Sequence, residues 1–173
     1  MEPYNKLNTF LSNIMSTPLH EASEHGHIEA MQLLLDNGAD INKKDKWRRS
    51  SLHKASRNGH TNAVKLLIKH GAEVESKNEW DRTPLHEVSD NGHIEAMKLL
   101  IDHDADVNAK DIWNWTPLHR ISWNGSTDAM KLLIDHGADV NAKNKWGKTS
   151  LDKASYNGHT DAIALLRENG AIE

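Results

Sequence analysis

Histidine and tryptophan are the residues of this chain whose numbers invite a chemical reading: 12 His and 6 Trp stand beside a single Phe. Imidazole is the commonest metal ligand and titrates close to neutral pH, so the histidines raise the question of a metal site or of acid–base catalysis. Tryptophan raises another, because its face stacks on nucleic-acid bases and its area anchors protein interfaces. Asp and Glu together number 25, enough for paired carboxylates. Cysteine is absent, which excludes thiolate nucleophiles, thiolate zinc or iron–sulfur sites and a disulfide framework. No Gly-rich phosphate loop of the P-loop or dinucleotide type occurs.

Spacing decides among these readings. The tetrapeptide Thr17-Pro18-Leu19-His20 recurs as Ser50-Ser51-Leu52-His53, Thr83-Pro84-Leu85-His86 and Thr116-Pro117-Leu118-His119, and closes as Thr149-Ser150-Leu151-Asp152. Each copy follows the last by 33 residues. Gly26-His27, Gly59-His60, Gly92-His93, Gly125-Ser126 and Gly158-His159 keep the interval. So do Gly38-Ala39-Asp40, Gly71-Ala72-Glu73, Asp104-Ala105-Asp106, Gly137-Ala138-Asp139 and Gly170-Ala171-Ile172. Three markers in register over five copies make the chain a tandem array.

The array absorbs the histidines. His20, His53, His86 and His119 belong to the tetrapeptide, and His27, His60, His93 and His159 to the Gly-His pair. His70, His103 and His136 precede the third marker, leaving only His25 unassigned. Equivalent side chains lie one repeat width apart, about 8–10 Å for packed helices, whereas zinc needs ligands about 2 Å from itself. The histidines therefore read as structural, and no metal or cofactor is expected. Acids recur with the array as well, as in Asp36/Asp40, Asp102/Asp106 and Asp135/Asp139. They read as solvated turn positions, so neither catalytic residues nor an enzyme is expected.

Each unit reads as helix, turn, helix, loop. Thr17 or its equivalent caps the first helix, with Pro at the first helical position where no backbone N–H is needed. The Gly of the second marker stops that helix. The second helix carries apolar residues such as Val64, Leu66, Leu67 and Ile68, too many for one stripe, which suits a helix packed on several sides. It ends at Gly38, Gly71 or Gly137, where a positive φ is wanted. The polar segment that follows, such as residues 139–148, fits a projecting hairpin.

The interval, the TPLH tetrapeptide, the Gly-His pair and the Gly-Ala-Asp-Val-Asn-Ala-Lys segment together resemble ankyrin repeats. The resemblance covers residues 12–173. It implies an all-α solenoid of five repeats, stacked helix pairs with β-hairpin fingers projecting to one side. It also implies that a protein partner binds the concave face made by fingers and first helices. The domain reading is a leader or capping helix at 1–11 and a repeat domain at 12–173, five 33-residue units with the last truncated. Leu7, Phe10, Leu11 and Ile14 have the spacing of a short amphipathic lid. At the other end Arg167 stands where Leu35, Ile68, Ile101 and Ile134 stand in the inner units, as a terminal cap requires.

Departures from the family pattern fall at turns. Asp104 replaces the Gly that ends the second helix, and Arg48, Asp81 and Asn114 stand where the finger usually has Gly; Gly147 alone keeps it. Asp and Asn tolerate left-handed geometry, whereas Arg48 tolerates it poorly. On the first helix Glu21, Lys54, Glu87 and Arg120 alternate in sign and Lys153 breaks the rule, so neighbouring units are expected to present opposite charges to one another.

Tryptophan is the sharpest functional signal. Trp47, Trp80, Trp113 and Trp146 share one position at the finger tip, Trp115 is a further finger residue, and Trp123 and Tyr156 are equivalent at the end of the first helix. The resemblance implies that these places face a partner, with Arg49 and Arg82 beside them, and the aromatics of the fourth unit mark the expected centre. Stacking of each tip ring on its neighbouring finger is the competing expectation. Basic fingers, with Lys43, Lys44, Lys46, Arg48 and Arg49 at one end and Lys143, Lys145 and Lys148 at the other, make single-stranded nucleic acid the alternative partner. Two balanced fingers between them and a net charge of −4 weigh against it. No membrane contact is expected and a monomer is, and the absence of a signal sequence or spanning segment reads as an intracellular place.

Overall fold

The computed structural model describes residues 16–172; the expected lid at residues 7–14 lies outside them. Among the described residues ten α-helices form five pairs: α1 (Pro18–His25) with α2 (Ile28–Asp36), α3 (Ser51–Arg57) with α4 (Thr61–Lys69), α5 (Pro84–Asn91) with α6 (Ile94–Ile101), α7 (Pro117–Asn124) with α8 (Thr127–Asp135), and α9 (Ser150–Tyr156) with α10 (Thr160–Glu168).

The tetrapeptide builds the start of every first helix. Thr17, Ser50, Thr83, Thr116 and Thr149 take extended backbone as N-caps, and their hydroxyls face the N3 residue in a reciprocal capping box. Histidine fills the N3 place that Glu or Gln commonly holds in the first four units, and Asp152 fills it in the fifth. Gly92 then turns the chain at φ 68° between α5 and α6, and its Cα lies so close to the next unit that a Cβ would meet the Ser126 side chain at 3.2 Å. At Gly59 the same addition would strike the His93 ring at 2.5 Å, so these turns need glycine for space as well as for conformation.

One apolar core runs through the stack. Val64, Met97 and Met130, equivalent residues of successive second helices, are fully buried with Leu67, Leu100 and Leu133 one turn on. Consecutive first helices pack more closely than consecutive second helices do. The array therefore curves toward the first helices, and their side is the inner one.

The fingers are tight turns, and no strand occurs among the described residues. In the first finger Asp45 N–H donates to Arg49 O at 2.9 Å and Arg48 N–H to Asp45 O at 2.8 Å. Such a short closure has no room for a ladder. Neighbouring fingers are tied by single backbone bonds of 3.0 Å, from Glu79 to Trp47 O, Ile112 to Trp80 O and Lys145 to Trp113 O. The four tip residues share left-handed backbone, with φ 58° at Arg48, 55° at Asp81, 59° at Asn114 and 70° at Gly147. Asp104 is left-handed too, at φ 64°.

Candidate functional site

The finger tips are organised by a residue two places before each Trp. Asp45, Asn78, Asp111 and Asn144 are buried, and their Oδ1 accepts the N–H of Trp47, Trp80, Trp113 and Trp146 at 2.8–2.9 Å. The same oxygen accepts the N–H of Arg49, Arg82, Trp115 and Lys148 at 2.9–3.1 Å. These four residues set the aim of every tip ring. Sequence reasoning passed over them, although an Asp or Asn recurring every 33 residues before a Trp is a readable Asx-turn signal.

The tip rings do not form one uniform row. Trp47 and Trp146, in the outer fingers, are exposed at 37% and 62%, whereas Trp80 and Trp113 are half-buried. No ring pair joins one tip Trp to another among the described residues. Trp47 lies instead against cations of its own finger, Lys46 at 4.0 Å and Arg49 at 4.3 Å from the ring centre. Arg49 also pairs with Asp45 at 2.8 Å. Burial pushes the Asp45 carboxyl up, but the bonds from Arg49 and the backbone outweigh it and hold the group below its ordinary range.

The inner face of the third to fifth units gathers the remaining candidates. Trp115 is half-buried, with Arg120 at 4.8 Å and Lys153 at 4.5 Å from its ring centre. Trp123 and Tyr156 stack at 6.0 Å and stay exposed, at 49% and 80%. A cavity of about 310 Å³ opens between Asp90, Trp115, Arg120 and Trp123. An ion-pair chain runs beneath it: Arg82 binds Glu87 at 3.4 Å and Asp90, and Arg120 binds Asp90 at 3.7 Å and Asp111. Burial raises the pKa of Glu87, and the neighbouring arginines only partly offset it.

That chain corrects the expected alternation along the first helices. Lys54 pairs with Glu24, and Glu87 with Arg82 of its own finger. Side chains on adjacent first helices meet one turn off the equivalent position, so the partners are Glu24 and Asp90 rather than Glu21 and Glu87. Arg82 is thus engaged within the fold, and Arg49 likewise.

The histidines form bonds between units. His20, His53, His86 and His119 accept the N–H of their own N-cap at Nδ1, at 3.1–3.2 Å. Their Nε2 donates to a carbonyl of the next finger, Arg49, Arg82, Trp115 and Lys148, at 2.9–3.0 Å. A second proton would sit on Nδ1 facing N–H and hydroxyl donors. Burial lowers all four pKa values, those of His53 and His86 to about 4.

The family model described as ankyrin repeats (3 copies) matches residues 5–45, 19–111 and 109–172. The chain belongs to the ankyrin repeat family. Ankyrin repeats generally mediate protein–protein interaction and are typically non-catalytic. A stretch of 34 residues is 50% identical to "Serine/threonine-protein kinase VIK" of Arabidopsis thaliana, covering 20% of this chain and 8% of that protein. That length is about one ankyrin unit, so the likeness is to a repeat. Among the described residues no helix is long and apolar enough to cross a membrane.

Proposed function

We propose that this ankyrin repeat array is a non-catalytic binding module whose protein partner lies on the face made by fingers and first helices. One observation carries the reading. Of the exposed large apolar side chains among the described residues, Trp47, Trp123, Trp146 and Tyr156 all belong to that face, and the other two, Leu33 and Ile172, belong to the end units. Scattered apolar residues need no explanation, whereas exposed aromatics gathered on one curved face match the composition of interface centres.

The half-burial of Trp80 and Trp113 moves the centre of binding from the tip row toward Trp123, Tyr156 and Trp146. Immobilised chain should retain a protein from cell extract, and the Trp123→Ala/Trp146→Ala double variant should lose at least about tenfold of that retention. Both rings are exposed, so the variant should melt like wild type. Equal retention by the double variant would sink the reading. A steep log–log fall of binding with salt would favour nucleic acid instead.

A further inference from the structure

Charge is distributed unevenly along the fingers. Residues 43–49 of the first finger hold five cations and one acid, and residues 142–148 of the fourth hold three cations and no acid. The corresponding stretches of the second and third fingers, 76–82 and 109–115, carry equal numbers of each sign. The one acid of the first finger, Asp45, is held by Arg49. Lys44, Lys46 and Arg48 pair with no acid among the described residues. The first finger is therefore the most strongly charged of the four.

Each of these three cations is nevertheless placed. Lys44 Nζ donates to the Lys77 carbonyl of the next finger at 3.0 Å. The Lys46 ammonium rests over the Trp47 ring at 4.0 Å, an attraction that leaves its charge intact. Arg48 is set at the exposed tip by the turn itself, at φ 58°. Ordering long side chains opposes association, and in this finger much of that ordering is already present.

Arg48 carries the argument further. Its position requires left-handed backbone, which Asp81, Asn114 and Gly147 adopt readily and arginine does not. Nothing in the fold offsets that strain. At the equivalent Gly147 an added Cβ would meet nothing within 4 Å, and the Arg48 guanidinium forms no hydrogen bond or ion pair among the described residues. A strained residue that presents an unpaired charge to solvent points to a use outside the fold.

We propose that the first finger anchors an acidic segment of the protein partner, whose carboxylates meet Lys44, Lys46 and Arg48. The inference rests on the binding reading above and gives it a polarity. The acidic segment lies at the first finger, and the apolar contact lies at Trp123, Tyr156 and Trp146 toward the other end of the same face. The two basic fingers are three units apart, about 24–30 Å, against a screening length of about 8 Å at physiological salt, so they act separately. A nucleic-acid strand fits less well, because its phosphates would run on from the first finger to Glu79 and Asp81. Glu79 is joined to Trp47 O through its own N–H, which sets an acid one unit from the basic tip.

Removing the tip charge also relieves the turn, which separates binding from folding. Arg48→Asn should raise the melting temperature, and Lys46→Gln/Arg48→Asn should melt close to wild type. The probes are a labelled peptide of six glutamates, its six-glutamine counterpart, and a seven-residue thymidine oligonucleotide with the same number of charges as the first, followed by fluorescence anisotropy on the full chain. The Glu peptide should bind wild type at least about tenfold tighter than the Gln peptide and tighter than the oligonucleotide. Arg48→Asn should lose about threefold for the Glu peptide and the double variant about tenfold, whereas Lys143→Gln/Lys145→Gln in the fourth finger should lose less than about threefold. Glu and Gln peptides that bind alike or not at all, equal losses from the two fingers, a lowered melting temperature for Arg48→Asn, or tighter binding of the oligonucleotide would each overturn the anchor. Retention by Trp123→Ala/Trp146→Ala is read separately, so failure of the acidic anchor and failure of the binding face are distinguishable.

Discussion

Two rows of side chains stitch each repeat to the next, one through the starts of the first helices and one through the bases of the loops. In the first row His20, His53, His86 and His119 accept a backbone N–H and donate to a carbonyl 29 residues on. In the second, Asn42, Asn108 and Asn141 accept the N–H of Glu73, Asp139 and Ile172 at 2.8–2.9 Å. Their Nδ2 donates to Gly71, Gly137 and Gly170 O, at 3.5, 2.9 and 3.0 Å. The geometry is shared, but the histidines are at most 1% exposed and the loop row is open to solvent. The buried row is unbroken until Asp152 ends it, whereas the open row is interrupted at Glu75, which accepts from Asp106 N–H at 3.1 Å and has no hydrogen to give when ionised. Water can serve an exposed carbonyl but not a buried one, so burial decides which row tolerates change.

The largest expected effect breaks the buried row. His86→Ala leaves the Thr83 N–H and the Trp115 carbonyl unpaired and opens a cavity, at a cost of about 2–4 kcal/mol. Asn108→Ala removes the parallel bonds in the open row and should cost about 0.5–1 kcal/mol. Urea melts of the two variants measure the ratio directly. Equal losses would show that burial does not distinguish the rows.

Acid should break the same row without mutation. Burial holds His53 and His86 down at about 4 in the folded chain, below the ordinary histidine value of about 6.5. A depressed pKa contributes stability that is fully present above the unfolded value and is lost as pH falls toward the folded one. Between about pH 6.5 and 4 each of the two should weaken folding by up to about tenfold per pH unit. Proton NMR titration should find both rings neutral at pH 5.5, and the His86→Ala variant should show a shallower fall of stability with pH. An imidazole of either residue that titrates near 6.5 in the folded chain would show that acid does not weaken the fold through the buried row.

The repeat, the helix pairs, the caps and the structural role of the histidines were legible because each is a residue type at a fixed interval with a local physical cause. Left-handed backbone at Asp104 was legible for the same reason. The even row of exposed tip rings was not, because the packing that half-buries Trp80 and Trp113 leaves no mark in the spacing. Likewise the partners of Lys54 and Arg120 depend on how adjacent helices are offset, which repeat register alone does not give. The exposed pair Trp123 and Tyr156 was readable as equivalent positions, but its stacking depends on how the two rings turn toward one another, which spacing does not give.

Repairing the open row should produce a smaller gain than breaking the buried one produces a loss. Glu75→Asn restores an amide that can donate to the carbonyl of residue 104 while keeping the bond from Asp106. It also removes a carboxyl whose pKa is raised, chiefly by burial and additionally by the Asp106 charge. A gain of about 0.5–1.5 kcal/mol is expected from one completed hydrogen bond, read as a shift in urea midpoint at neutral pH. No gain would mean that water already serves that carbonyl as well as the amide does.

The smallest effect is expected at the same joint, on its other side. Asp104 holds φ 64°, where its equivalents Gly38, Gly71, Gly137 and Gly170 hold φ 78–86°. A Cβ built on any of those glycines meets nothing within 4 Å, so the Asp104 side chain occupies open space and its cost is conformational. Left-handed backbone costs an ordinary L-residue about 1–2 kcal/mol, and less for Asp. Against that, glycine makes the unfolded chain more flexible, which returns part of the gain. Asp104→Gly should therefore stabilise by about 0.5 kcal/mol, and its effect should change when Glu75→Asn is present, because both act on one joint. Strictly additive gains would show that the loop row and the turn beneath it are independent; a loss in the single variant would show that the Asp104 side chain contributes more than its backbone strain removes.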